Sequence, residues 1–194
     1  MTARDRILAR VRDALAEREG REHPGPFEGW RPEGADVPAD TAFSQRFTEA
    51  GGEVVRVSST DEARSWLNAT ARAAGDVVLG ATLPGQLHPD APRAPAESAA
   101  LGISMARGAV AETGSLILDA RDGRRAQLLP PRHVVIVDAG RVHATLVEAL
   151  RSLADDLPSA VGLHSGPSKS ADIGQMLVKG VHGPGRVVAL IVGS

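Results

Sequence analysis

Residues 133–164 read HVVIVDAGRVHATLVEALRSLADDLPSAVGLH. His133–Asp138 is an almost unbroken β-branched run, the pattern of a strand covered on both faces in a parallel sheet. Val142–Ala154 then places leucines and valines at helical spacing, and Ala160–His164 returns to a short apolar run. Strand, helix, strand over this length predicts a βαβ unit.

The alternation extends in both directions. Upstream, Thr41–Ala50 predicts a short helix with Phe43 and Phe47 on one face, stopped by Gly51-Gly52. Glu53–Val57 predicts a strand, Thr60–Ala74 a helix capped by Ser59 or Thr60 and closed by Gly75, and Asp76–Leu79 a second strand. After a proline-punctuated loop come three short strand candidates, Gly102–Met105, Gly108–Ala111 and Ser115–Leu118, and a turn at Arg121-Asp122-Gly123. Downstream, Ser170–Val178 predicts a helix on the apolar spacing of Ile173, Met176 and Leu177, and Val187–Val192 (VVALIV) a last buried strand. The implied class is α/β: an open, mainly parallel sheet with helices on both faces. Ligands of such sheets bind beyond the carboxyl ends of the strands, which points to the loop after Ala160–His164.

Residues 1–40 differ in character. Thr2–Glu19 predicts an amphipathic helix with Ile7, Leu8, Val11, Ala14 and Leu15 in one stripe and Thr2 and Asp5 as a capping pair. Gly20–Asp40 is rich in proline and glycine and reads as a linker. The organisation expected is therefore an N-terminal helix and linker over 1–40 and an α/β domain over 41–194.

Composition narrows the functions. With 42% hydrophobic and 24% charged residues the chain is an ordinary globular sequence. A net charge of −2 supplies no global field for nucleic acid or an anionic membrane. Aromatics are 3% and tyrosine is absent, so stacking platforms for single-stranded nucleic acid are missing. There is no cysteine, which excludes disulfides, thiolate metal sites, cysteine-ligated iron–sulfur clusters and cysteine nucleophiles. The six histidines form no metal-binding spacing, and no metal is expected. His133 and His143 read as core or capping residues. Met1–Arg10 has no apolar run after it that would make a secretory signal. No apolar stretch approaches the roughly 20 residues of a membrane span. The cytoplasm is the expected location.

Three segments carry candidate chemistry. Ser165-Gly166-Pro167-Ser168-Lys169-Ser170 follows a predicted strand and opens a predicted helix. The first turn of a helix exposes unpaired N–H groups and partial positive charge. The serine hydroxyls and Lys169, one of only two lysines beside 20 arginines, add donors, so the segment suits a small carboxylate or phosphate. An ordinary serine-capped helix with a surface lysine explains the same residues equally well. Gly180–Arg186 brings three glycines, which allow close backbone approach, and His182, a potential acid, base or donor. Ala111-Glu112-Thr113-Gly114-Ser115 sets a carboxylate among small residues, where it could act as base or nucleophile, with Thr113, Gly114 and Ser115 as donors to a ligand oxygen. A tight turn around Gly114 is the commoner meaning of such a stretch.

The run GPSKSADIGQMLVKGVHGPGR (Gly166–Arg186) resembles the signature of the LUD-domain family of lactate utilization protein C-like chains. The Glu112-Thr113-Gly114-Ser115 turn and the Pro130-Pro131 stretch leading into His133–Asp138 match two further motifs in the same order, and the resemblance covers roughly residues 40–194. One departure is Gly174, where family members often carry glutamate. The resemblance implies a fold like that of the sugar-phosphate isomerase and CoA-transferase superfamily. It also implies a role in a three-protein cytoplasmic system that oxidises L-lactate to pyruvate, with iron–sulfur clusters carried only by the partner subunits. Carried onto this chain, the candidate catalytic groups are Glu112 and His182. The candidate ligand-binding residues are Thr113, Gly114, Ser115, Ser165, Gly166, Pro167, Ser168, Lys169, Ser170, Asp172 and Gly183.

Three readings stand side by side. The chain is an accessory subunit of the lactate-oxidising system, holding a small anion and partnered by iron–sulfur proteins. Or it is a stand-alone isomerase or acyl-transfer enzyme with Glu112 as base or nucleophile. Or it is a binding module without chemistry. Whether it catalyses a reaction, and whether it forms a homo-oligomer, is open at this point.

Overall fold

The computed structural model describes residues 2–16, 37–171 and 177–193. The chain divides into two units, and α1 (Ala3–Ala16) is the described element of the first. Its cap is the expected reciprocal pair: Thr2 Oγ1 accepts from the Asp5 N–H at 3.2 Å while Asp5 Oδ2 accepts from the Thr2 N–H at 2.8 Å. Ile7, Val11 and Leu15 are exposed on this helix. The predicted extension to Glu19 and most of the predicted linker lie outside the described residues.

The second unit begins its described part with α2 (Ala39–Glu49), β1 (Glu53–Val57), α3 (Thr60–Ala74), β2 (Val77–Leu79) and β3 (Leu101–Met105). β4 (Gly108–Val110), β5 (Ser115–Asp119), α4 (Arg124–Leu128) and β6 (Arg132–Asp138) follow. Then come β7 (Val142–His143), α5 (Leu146–Ser152), β8 (Val161–His164), β9 (Lys169–Ala171), β10 (Leu177–Lys179) and β11 (Arg186–Val192).

Five strands form one parallel sheet in the order β1-β11-β6-β3-β2. Side chains alternate across a strand, and β6 shows the consequence. Val134 and Ile136 join Leu67 and Ala71 of α3 on one face. Val135 and Val137 join Phe43 and Phe47 of α2 on the other. A strand buried on both faces needs apolar residues at every position, which is why HVVIV and VVALI read as continuous runs. The expected α/β class, with helices on both faces of a mainly parallel sheet, is what forms. α3 has the predicted bounds because its ends are written locally: Ser59 accepts from the Glu62 N–H, and Gly75 leaves the helix at φ 99°. No described helix is long and apolar enough to cross a membrane.

Four departures matter. First, β8 does not complete a βαβ unit with β6. It pairs antiparallel with β5, Leu116 opposite His164, in a separate sheet ordered β7-β4-β5-β8. α5 starts only at Leu146, where Thr145 and Glu148 form a capping box, and Val142–His143 is extended and paired with β4. The helix is then too short to carry a crossover back onto the parallel sheet. Second, the carboxyl-end rule loses its basis for the loop after β8, because that strand is not in the parallel sheet. Third, the Arg121–Gly123 turn leads into the unpredicted α4.

Fourth, Ser170–Val178 is not a helix where it is described. β9 and β10 form an antiparallel hairpin with Ala171 opposite Leu177 and Lys169 opposite Lys179. Residues 172–176, with Asp172 and Gly174, lie outside the described residues. Serine is a poor interior helix former, and at the described ends cross-strand pairing takes the place of helix. The helix N-terminus invoked for anion binding is therefore absent at Ser168–Ala171.

Candidate functional site

Two of the three sequence segments are pinned to the C-terminal end of α2. That helix is anchored by Phe43 and Phe47, both fully buried with ring centroids 5.3 Å apart. It ends in a tight turn, Gly51 at φ 87° donating to the Thr48 carbonyl at 2.8 Å and Gly52 donating to that of Phe47 at 2.9 Å. The turn around Gly114 presses on this helix. Gly114 has φ 59°, and a Cβ there would sit 2.8 Å from the Phe47 nitrogen. Arg46 reaches across and donates to the Glu112 carbonyl at 2.6 Å. From the other segment, Gly166 (φ 91°) lies where a Cβ would be 3.0 Å from the Ala50 carbonyl oxygen, and Lys169 Nζ donates to that same oxygen. A cation on the last carbonyls of a helix is favourable, because they carry partial negative charge.

The two segments touch through serines. Ser115 Oγ donates to Thr113 Oγ1 at 2.8 Å and lies 2.6 Å from Ser165 Oγ. A hydroxyl has one proton. With the Ser115 proton on Thr113, Ser165 is the donor to Ser115, and the Thr113 proton is left over for a ligand. Thr113 and Ser165 are exposed and Ser115 is buried, so the chain of hydroxyls runs from surface to surface through a buried centre.

The third segment closes over the first. The Ser168 N–H donates to the Pro184 carbonyl at 2.9 Å, and the Gly180 N–H to the Ser168 carbonyl at 3.0 Å. A Cβ on Gly183 would lie 3.3 Å from Ser168 Cβ. The Gly185 N–H donates to the Pro131 carbonyl at 3.0 Å, tying the loop to the proline pair that precedes β6. All of this sits at the amino ends of β6 and β11, opposite to the edge that the general rule for such sheets favours.

The proposed reactive groups do not gather there. Glu112 Oε1 accepts the Leu146 N–H at 2.6 Å, at the start of α5. Lys169 faces the end of α2. His182 is exposed in the 180–185 loop, and no hydrogen bond joins it to Glu112 or Lys169. Ser170 is half-buried in β9.

A cleft of about 210 Å³ under α3 holds two arginines, but both are engaged: Arg186 grips Glu53 at 2.6 and 2.7 Å, and Arg132 donates to the Ala74 carbonyl at 3.3 Å. Polar residues that no sequence motif singled out surround a second cleft, of about 260 Å³, between α4 and β8. Arg124, Gln127 and His164 supply its polar lining and Leu118 and Leu128 its apolar wall. Burial holds the His164 pKa below the ordinary imidazole value. His133 is fully enclosed, with Nε2 2.9 Å from Ser104 Oγ and no partner for Nδ1. Burial, and then the charge of His164, push its pKa down to about 3. His133 is thus the core residue expected of it. His164 gave no sequence signal beyond its place at the end of a predicted strand.

Residues 89–192 match the family described as LUD domain. Lactate utilization protein C 1 of Bacillus mycoides is 38% identical over 105 residues, which are 50% of this chain and 45% of that protein. Lactate utilization protein C of Halalkalibacterium halodurans is 36% identical over 105 residues, 50% of this chain and 46% of that one. The protein of the same name from Exiguobacterium is 38% identical over 113 residues, 54% and 49% respectively. The chain spans about half the length of the curated relatives it matches. A crystal structure of a duf162 family protein from Deinococcus radiodurans superposes with a TM-score of 0.59 over 80% of this chain and 96% of that one. At 22% identity, that likeness speaks to the fold alone.

Proposed function

The chain belongs to the LUD domain family, and from that premise we propose that it is an accessory subunit of a cytoplasmic system oxidising L-lactate to pyruvate. It binds a small anionic ligand and depends on iron–sulfur partner proteins for electron transfer. The names of its relatives, lactate utilization protein C, support the link to lactate. The absence of cysteine supports the division of labour, since a chain without thiolates cannot ligate the clusters in the usual way.

The observation that carries the ligand site is the 2.6 Å contact between Ser115 and Ser165. It joins the two motifs across 50 positions of sequence and links Thr113 Oγ1, Ser115 and Ser165 in one chain of hydroxyls. Neutral hydroxyl and backbone donors hold the anion in this reading, and no helix terminus or free lysine contributes. The stand-alone isomerase or acyl-transfer reading asks Glu112 to be a base or nucleophile. Its carboxylate is occupied by the Leu146 N–H, which weighs against that role.

The test is to isolate the full-length tagged protein from cells grown on L-lactate and to delete its gene. Co-purification of iron–sulfur proteins and loss of growth on lactate are expected. If no such partner is recovered and the deletion strain grows normally on lactate, the reading is wrong.

A further inference from the structure

We propose that the cleft between α4 and β8 is a second ligand site, formed by Arg124, Gln127 and His164, which takes a short-chain hydroxy acid through its carboxylate and its hydroxyl.

The cleft lies on the strand that leads into the serine site, since His164 ends β8 and immediately precedes Ser165. Alternate strand residues share a face. Gly162, two residues earlier, shares the His164 face and makes room for it: a Cβ on Gly162 would lie 2.9 Å from His164 Nε2. The volume of about 260 Å³ is below the roughly 300–1,000 Å³ of clefts that enclose drug-sized ligands, so the occupant is small.

The polar lining defines its chemistry. Arg124 has no carboxylate partner among the described residues, whereas its neighbour Arg125 is paired with Glu97. A guanidinium open to a cleft presents a planar fork matched to a carboxylate. Gln127 is buried and its Nε2 donates to the Asp119 carbonyl at 2.9 Å, which leaves Oε1 as the unengaged amide atom, an acceptor. Neither nitrogen of His164 bonds to another described residue. Burial disfavours its charged form, so the ring offers one acceptor and one donor nitrogen. His133 cannot relieve it, being enclosed behind Ser104 and itself held neutral.

The lining thus provides one cation for a carboxylate, an acceptor in Gln127 Oε1, and one donor and one acceptor in the His164 ring, with Leu118 and Leu128 against the alkyl part. A hydroxy acid matches this set: its carboxylate takes the guanidinium, its single O–H donates to one acceptor, and its hydroxyl oxygen accepts from the imidazole N–H. The corresponding oxo acid accepts from the imidazole but donates nothing, so no acceptor of the lining gains a partner, a mismatch of the kind that protein sites reject. The cleft therefore favours the hydroxy form by about tenfold or more.

The choice of acid as probe rests on the organic-acid role proposed above, but the experiment separates the two. Full-length protein is titrated with glycolate and L-lactate, and with glyoxylate and pyruvate, by calorimetry or ligand-observed NMR. Arg124→Ala, an exposed substitution, and His164→Gln are each expected to weaken hydroxy-acid binding about tenfold or more, while Arg64→Ala, an exposed residue of α3 paired with Asp61 and outside both sites, leaves it unchanged. The proposal is overturned if none of the four acids binds, if the oxo acids bind as well as the hydroxy acids, or if Arg124→Ala has no effect. It is also overturned if Ser165→Ala abolishes binding that Arg124→Ala preserves, which assigns the ligand to the serine site. A deletion strain that fails on lactate but is fully restored by the Arg124→Ala protein would leave the subunit role intact and remove the cleft.

Discussion

The Glu112 carboxylate accepts the backbone N–H of Leu146 at 2.6 Å, so the acidic residue of one motif caps the helix that follows another strand. A helix start leaves N–H groups without intrahelical partners, and a carboxylate there is favoured by the helix dipole as well. Glu112→Ala should cost about 1–2 kcal/mol of stability, the range for losing such an acceptor. Glu112→Gln keeps an acceptor oxygen and should cost less than half as much. Urea unfolding of the two variants checks this. Equal losses in both would mean that the carboxylate's charge, rather than its place as an acceptor, holds the helix.

Lys169 stands in the same relation to α2 at its other end. Its ammonium is on the Ala50 carbonyl, among the partial negative charges of the helix terminus. Lys169→Met should lower stability by roughly 0.3–1 kcal/mol, and should change the affinity for inorganic phosphate less than twofold, since the charge is directed at the helix. A phosphate titration in which Lys169→Met abolishes binding would return the lysine to the ligand.

How far the sequence reveals this molecule depends on the range of the interactions involved. Elements whose signals are local are legible. Ser59 and Gly75 bracket α3, and the VVALIV run can only be a strand covered on both sides. Strand direction is not local. Val161–His164 reads as a strand, yet nothing in its four residues says that it lies antiparallel to β5 rather than parallel to β6. The described ends of the predicted 170–178 helix depart for a related reason, because Ser170–Ala171 and Leu177–Val178 pair across β9 and β10, a contact that local spacing does not reveal. The serine motifs are visible one at a time, but their contact at Ser115–Ser165 is a product of the fold. Arg124 and His164 stand 40 positions apart with no shared motif, so their common cleft is invisible without coordinates.

Gly114 should be the least replaceable residue of its motif. Its φ of 59° is left-handed, and a Cβ would lie 2.8 Å from backbone of α2 that is itself held by Phe47. The left-handed conformation alone costs a non-glycine residue about 1–2 kcal/mol, and here the neighbouring atoms are backbone that cannot rotate away. Gly114→Ala is expected to destabilise by at least that amount and to disturb the adjacent Ser115–Ser165 contact. Chemical denaturation of Gly114→Ala beside Gly123→Ala separates the two causes. Gly123 also has positive φ, at 89°, but a Cβ there meets nothing within 4 Å, so it reports the backbone cost by itself. Equal losses would mean that the contact with α2 is slack.

His133 should make the protein sensitive to mild acid. Its pKa is about 3 in the folded state, against the ordinary 6.5 that it regains on unfolding. Between those values the unfolded chain binds the proton and the folded chain does not, so protonation favours unfolding. The neutral ring's contribution is fully present above pH 6.5 and is lost as pH falls toward 3, by up to about 1.4 kcal/mol per pH unit. His164, also lowered by burial, adds to the same trend. Asp119, where burial raises the pKa but Arg121 outweighs it, and Asp40, lowered by Arg56, lose their contributions around and below their usual 3.8, and Glu53 and Glu62, lowered by Arg186 and by Ser58, begin to lose theirs near their usual 4.5. Stability measured from pH 7.5 to 5.5 therefore reports the imidazoles almost alone. The urea midpoint should fall steadily below pH 6.5, and His133→Asn should flatten that slope. A midpoint that stays constant between pH 6.5 and 5.5 would show that His133 takes up its proton in the folded protein without penalty.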